Sequence, residues 1–287
     1  MKRKTFYQFA SPSLVIMLLL MVFPLVVSFF LGFNFLTFNN IHTPEWVGLN
    51  NYDEVLSDPT FWKSFWFTML FVVIAVPTKM ITGFMIAMML DQISIKVRGF
   101  FVAAFLMPFI MVPIVGTLMF KQLFESGGLL AWVFREVLND RFIFTEVSVK
   151  ILIFVHNVWA STPFTIVVLF AGLQTLPMEL VEASMIDGAT RLQQVRNIVI
   201  PHLRSLLVFI GLISIMDSFR VFDSVFVMTE RNPVYKAEVM MLYTFRTAMS
   251  VGRLGKANAM SMMMVTMILI ILIPLLIRTY REQTEER

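Results

Sequence analysis

Few side chains in this sequence could do chemistry, and most of those lie inside apolar stretches where a polar group is costly. Asn157, Ser161 and Phe164 are spaced four and three apart, so they share one helix face, with Trp159 and Pro163 nearby. Ser214, Asp217 and Ser218, with Phe222 beyond them, repeat that pattern in a second stretch. An amide, hydroxyls and a carboxylate, with rings that stack on C–H faces, would together grip a polyhydroxylated solute such as a sugar. The same groups also have a structural reading. Asn and Ser bond across helices, and Asp217 with Arg220 at i,i+3 makes an intrahelical pair. Lys79 stands alone in a third apolar stretch, where it could snorkel, neutralise an acid on a neighbouring protein or meet an anionic solute.

Other chemistries find no residues to carry them. No nucleophile, base and orienting group fall together, so an enzyme reading, including a membrane-embedded one, lacks a centre. The chain has no cysteine, and His42, His156 and His202 lie far apart without metal-site spacing. Gly255-Lys256 is followed by Ala257 and preceded five residues earlier by Ser250, so the phosphate-cradling pattern fails and no ATP site is expected in this chain. A net charge of +4, dispersed along the sequence, does not argue for nucleic acid. The 23 methionines read as adaptable helix packing before they read as soft copper ligands.

The elements that must position these groups follow from composition. Of 287 residues, 58% are apolar and 15% charged, and mean hydropathy is +0.79, a balance that suits an exterior of lipid. Six spans are expected: residues 14–31, 65–90, 100–120, 151–173, a fifth that starts at Ser205 and must include Asp217 and Arg220, and 257–277. The first follows Met-Lys-Arg-Lys but lacks a small-residue cleavage site, so it reads as a retained helix. With the N-terminus in the cytoplasm, eleven lysines and arginines fall on each side and Lys79 falls within a span. The outer loops are longer in sum, so the density of positive charge and the Lys-Arg-Lys flank favour cytoplasmic N- and C-termini.

Between the fourth and fifth spans, residues 174–201 are too polar to cross lipid. They read as two short amphipathic helices broken at Gly188, with Pro177 at the first turn and Glu179 and Glu182 near the positive end of the first helix. Leu180, Val181, Met185 and Ile186 line part of one face, and Leu192, Val195, Ile198 and Val199 repeat at three and four beyond the glycine. Such a mixed surface offers a partner protein something to hold.

The spacing is specific. Glu182-Ala183-Ser184, three residues, Gly188, nine residues and Ile198-x-Ile200-Pro201 resemble the cytoplasmic loop motif of binding-protein-dependent ABC importers, with Ser at its third position and Ile for Leu. Leu173-Gln174-x-Leu176-Pro177, Glu179-Leu180 and Ile186-Asp187-Gly188-Ala189 are similar to the carbohydrate-uptake group. Trp46-Val-Gly-Leu-Asn-Asn-Tyr52 with Asp58 and Phe61 is similar to the maltose-permease-like subunit, as is Leu254-Gly-Lys-Ala-Asn-Ala259. Glu230-Arg231-Asn232-Pro233 departs from the family's Gly-Gly-Pro turn, which leaves the outer-loop conformation open.

The resemblance implies an all-α integral membrane protein with six transmembrane helices, a type I ABC importer permease core and a cytoplasmic coupling-helix loop. Residues 1–63 would form the N-terminal tail, first helix and outer loop, 64–281 the core with its coupling loop at 174–203, and 282–287 a tail. The implied partners are a second homologous permease subunit, two ATPase subunits that hold ATP and Mg, an extracytoplasmic solute-binding protein, a carbohydrate and membrane lipid. A helix around Asp187–Thr190 would seat in the ATPase, with Glu182, Ala183, Asp187, Gly188, Ala189, Thr190 and Pro201 as coupling residues. Asn157, Ser161, Phe164, Ser214, Asp217 and Ser218 would line the substrate path. The class-different alternative is a stand-alone ion-coupled transporter or channel that uses Asp217 and Lys79 as a charge relay.

Overall fold

The computed structural model describes residues 11–137, 139, 142–230 and 232–285, the last eight of these as backbone. The Met-Lys-Arg-Lys flank, Arg141, Arg231 and the last two residues, all used in the sequence reading, lie outside the described residues. In chain order the elements are α1 (Ser11–Leu31), β1 (Asn34–Phe35), β2 (Glu45–Trp46), α2 (Asn50–Leu56), α3 (Pro59–Gln92), α4 (Ile95–Ile110) and α5 (Pro113–Phe124). They continue with α6 (Leu129–Val137), α7 (Glu146–Leu173), α8 (Met178–Ile186), α9 (191–202), α10 (Arg204–Phe219), α11 (Asp223–Thr229), α12 (Met240–Met249) and α13 (Leu254–Glu285).

Five helical stretches among the described residues are long and apolar enough to cross a membrane: α1, α3, α7, α10 with α11, and α13 to Ile277. The third expected span departs from prediction. Instead of one helix over 100–120, α4 stops at Ile110 and the next helical segment sets off at 100°. Pro113 has no N–H and holds the residue before it out of helical geometry, and both Met111 and Val112 are extended (ψ 143° and 125°). Counted as one bent pair, α4 and the segment after it bring the spans to six.

Two compact units emerge. One gathers the chain up to Ser64 with Met240–Ile270, and the other holds Phe65–Val239 with the chain from Ile271. In the first unit, β1 and β2 pair antiparallel, Asn34 facing Trp46. The buried Asn51 amide donates to the carbonyls of Gly32 and Asn34, both at 2.9 Å. Gly255, in the first turn of α13, lies so close that a Cβ there would stand 2.0 Å from the Asn34 oxygen. Two motifs some two hundred residues apart in the chain thus meet on the Asn34 carbonyl, which the Asn51 amide bonds and Gly255 closely approaches. Arg253 bonds Glu54 at 2.9 Å, and Asp58 takes bonds from the Tyr243 hydroxyl, the Thr60 N–H and, at 3.2 Å, the Lys256 ammonium. Burial pushes the Asp58 carboxyl up, but those three donors outweigh it and hold the group below its ordinary value.

The second unit is where α3, α4, α5, α7, α10 and α11 pack. Between apolar helices in lipid, close approach at small residues supplies the attraction that water would otherwise drive. A Cβ at Gly83 on α3 would stand 2.5 Å from the Thr165 methyl carbon on α7, so these two helices touch there. Ala87, Leu169, Leu173, Val199, Leu203 and Ile210 form a buried cluster that joins α3 and α7 to α9 and α10. On the far side of α11, Glu230 takes the left-handed backbone (φ 50°) and its carboxylate bonds Lys121 of α5. The position where the resemblance leads one to expect a glycine thus keeps a glycine-like turn, with a side chain that fastens it.

Candidate functional site

A cavity of about 530 Å³ opens among α3, α4, α5, α7, α10 and α11 of the second unit. The bend at Met111–Val112 makes it possible, because it turns Phe109 of α4 and Gly116 and Thr117 of α5 into its wall. On α7 the wall carries Asn157, Ser161 and Phe164, the face expected from spacing, together with His156 and Trp159. From α10 and beyond come Ser214, Asp217, Arg220, Phe222 and Asp223. The rings of Phe109 and Phe164 stack with centroids 6.2 Å apart and planes 27° from parallel, a flat apolar surface beside polar groups.

Five of the six residues expected on the substrate path are brought together here. Ser218 is the sixth and is placed differently: it is fully buried behind the wall, and its hydroxyl accepts from the Lys79 ammonium at 2.9 Å. Lys79 lines the cavity although only 1% exposed, so it does not snorkel. The expected pair between Asp217 and Arg220 is not made. Among the described residues no ion pair within 4 Å joins them.

His156 was legible only as a polar residue within a span. Its Nε2 lies 3.4 Å from the Thr117 hydroxyl, which already donates to the Pro113 carbonyl at 2.9 Å. A hydroxyl has one proton to give, so Nε2–H must be the donor and Nδ1 is left an acceptor. That Nδ1 and the Asn157 Oδ1 are buried with no hydrogen-bond partner. Thr117 and Phe109 escaped the sequence reading because they enter the wall through the bend; Pro108 and Pro113 were the available signal.

The loop after α7 forms a second distinctive surface. Thr190 caps α9 by a reciprocal box with Gln193, and Gln194 donates to Ser184 of α8 at 3.0 Å, so the two helices are tied. The break expected at Gly188 is the turn between α8 and α9, and residues 187–190, where the resemblance implied a docking helix, lie in that turn. Gly188 has φ 74°, and nothing lies within 4 Å of where its Cβ would be. Its need is the left-handed backbone, rather than close approach within this chain. Glu182, Ala183, Asp187, Gly188, Thr190 and Pro201 are exposed, and Ala189 is half-buried. Ile186 and Leu192, on either side of the turn, are 87% and 77% exposed, and Met185 and Leu180 are uncovered too.

The loop is nonetheless rigidly rooted. Gln174 donates to Asp91 at 2.6 Å and accepts from Arg98 at 3.3 Å, while Arg98 also caps the end of α3 through the Asp91 carbonyl. Arg191 reaches Gln92 at 3.4 Å, and Val199 and Leu203 bury into the α3–α7 cluster.

Residues 83–284, which include the loop and every cavity residue but Lys79, match the family of binding-protein-dependent transport system inner membrane components. The chain belongs to that family. It is therefore an integral protein of the inner membrane and a permease component of a transport system, with the type I importer fold. Among relatives, it is 30% identical over 261 residues to the trehalose/maltose transport system permease protein MalF of Thermococcus litoralis, covering 90% of this chain and 87% of that one. It is 29% identical over 279 residues to the probable ABC transporter permease protein y4oQ of Sinorhizobium fredii, with 95% and 89% covered. In fold, this permease is similar to a bacterial ABC transporter involved in import of the acidic polysaccharide alginate. The TM-score is 0.81 at 16% identity, with 96% of this chain and 95% of that one covered.

Proposed function

We propose that this chain is the membrane-spanning half of an ATP-driven, binding-protein-dependent sugar importer. The sugar passes through the cavity, and the loop of α8 and α9 docks on a separate ATPase subunit. The observation that carries this reading is the turn at Gly188: apolar side chains stand uncovered around it, on a loop firmly bonded to α3, α4 and α7. A covered face would belong to this chain's own core; an uncovered one on a rigid root suits a lever that another protein pushes. ATP and Mg belong to the ATPase subunits, a second permease subunit completes the path, and an external binding protein delivers the solute. Both termini and the loop lie in the cytoplasm. Transport relatives whose names include trehalose and maltose support the sugar class.

Two measurements test this. Proteoliposomes holding the complete complex should take up sugar only with ATP and binding protein present, whereas this chain alone should be inert; uptake by the chain alone would establish the ion-coupled alternative. The sequence has no cysteine, so an Ala189→Cys variant carries a single thiol. It should react with an impermeant maleimide from the cytoplasmic side, and reaction from outside would overturn the docking assignment.

A further inference from the structure

If the loop is pushed by an ATPase, as in the reading just given, something must carry the push to the cavity wall that α4 supplies. That helix is thinly anchored. None of its residues is buried, whereas α7 buries a row that runs from Val149 to Leu173. It meets α7 through a ring near each end. Beside the bend, Phe109 stacks on Phe164. Eleven residues earlier, about three turns back along the helix, the Arg98 guanidinium lies over the Phe170 ring, 5.4 Å from its centre. The same guanidinium donates to the Asp91 carbonyl at 2.8 Å and the Ile93 carbonyl at 3.2 Å, where α3 ends, and to the Gln174 side-chain oxygen at 3.3 Å, just past α7. Gln174 closes the circuit by donating to the Asp91 carboxylate at 2.6 Å.

A planar fork of five donors can hold acceptors in three directions at once, which an ammonium on a flexible stem cannot. Capping α3 needs the two carbonyl bonds alone. The bond to Gln174 adds nothing to that cap, and it runs to the residue from which the loop departs. We infer that Arg98 is a positioning residue for transport: it makes α4 follow the loop, so that a displacement of α8 and α9 reaches Phe109 and the cavity wall. Without it, α7 moves with the loop by virtue of its buried row, and α4 slips past.

The test reads the cavity rather than uptake, so no solute has to be known. Ser161→Cys puts a single thiol in the cavity wall, since the chain has no cysteine. Inside-out membrane vesicles carry the full complex, and an impermeant maleimide is added at their exposed cytoplasmic face. ATP with vanadate, which arrests the ATPase, should slow labelling by about tenfold as the cavity turns away from that face. With Arg98→Met added, ATP hydrolysis should persist and the slowing should be lost; Arg98→Lys keeps the charge without the fork and should retain part of it. A second pair of variants reverses the polarity of the circuit. Gln174→Glu sets a carboxylate against Asp91 and should weaken the slowing, and Asp91→Asn in the same chain, whose amide donates back, should restore it. Unchanged slowing in Arg98→Met, slowing and hydrolysis lost in step, or failure of Asp91→Asn to rescue Gln174→Glu overturns this inference and leaves ATP-driven import standing. If ATP has no effect on the thiol while Arg98 is intact, the reading on which the inference rests is overturned instead.

Discussion

The cavity and the loop break the same rule in opposite directions. In the spans, where lipid asks for apolar groups, Lys79, His156, Asn157 and Asp217 gather around empty volume. In the loop, where water asks for polar groups, Ile186 and Leu192 stand out on the surface. Each region leaves something unsatisfied that this chain does not supply: hydrogen-bond partners in one, apolar cover in the other. The difference teaches what each awaits. A set of inward donors and acceptors suits a small hydroxylated solute, whereas a projecting apolar turn suits a protein surface. Between them lies the tightly packed part, with Gly83 against Thr165 and the cluster around Leu169 and Leu203, which can carry a push from one to the other.

If the two regions do separate jobs, each can be broken alone. Ser161→Trp should fill the cavity and lower sugar binding and uptake by at least about a hundredfold, through steric exclusion. Hydrolysis of ATP stimulated by the binding protein should survive in it. The reverse holds at the turn: Gly188→Val places a β-branched residue at φ 74° and should reduce uptake to background while sugar still binds the cavity. Gly188→Asn, which tolerates the left-handed region, should retain a measurable part of the transport. Should Ser161→Trp abolish the stimulated hydrolysis, or Gly188→Val abolish sugar binding, the two regions would be one unit and the comparison would fail.

How much of this was written in the chain depends on range. The loop was legible because its pattern is local: Glu182, Gly188 and Pro201 lie within twenty residues, and a broken helix pair needs no distant partner. The polar faces of α7 and α10 were legible for the same reason, since helical period alone aligns Asn157 with Ser161 and Ser214 with Ser218. The bend was not. Prolines are tolerated inside spans, and Pro77 and Pro163 sit in unbroken helices, so Pro108 and Pro113 signalled a kink without announcing a turn of 100°. The bond from Lys79 to Ser218 joins residues 139 apart and depends on how α3 meets α10. It moved Ser218 from the cavity wall to a place behind it. Glu230 shows a third limit: the expected glycine is absent, yet Lys121 helps a left-handed glutamate keep the turn.

Smaller effects sharpen the claim that the loop is a rigid lever. Leu203 is 1% exposed and packs α9 against α3 and α7, so Leu203→Ala should cost about 2–5 kcal/mol, read as a lower melting temperature of the purified complex.

The smallest change is at the cap. The Thr190 hydroxyl accepts from the Gln193 N–H, and the Thr190 N–H donates in return to the Gln193 side-chain oxygen at 2.7 Å. Thr190→Ala should cost about 1 kcal/mol of local stability, which corresponds to about fivefold faster amide exchange in the first turn of α9. Exchange in the cavity-lining stretch of α7 should stay as it is, because its amides are held by a helix that the cap does not touch. Uptake should fall modestly and in step with the fraction of frayed turns, since a lever that frays at its tip transmits less of each push. Faster exchange without any loss of transport would mean that the first turn of α9 need not be formed for the motor to act, and would move the point of contact towards α8.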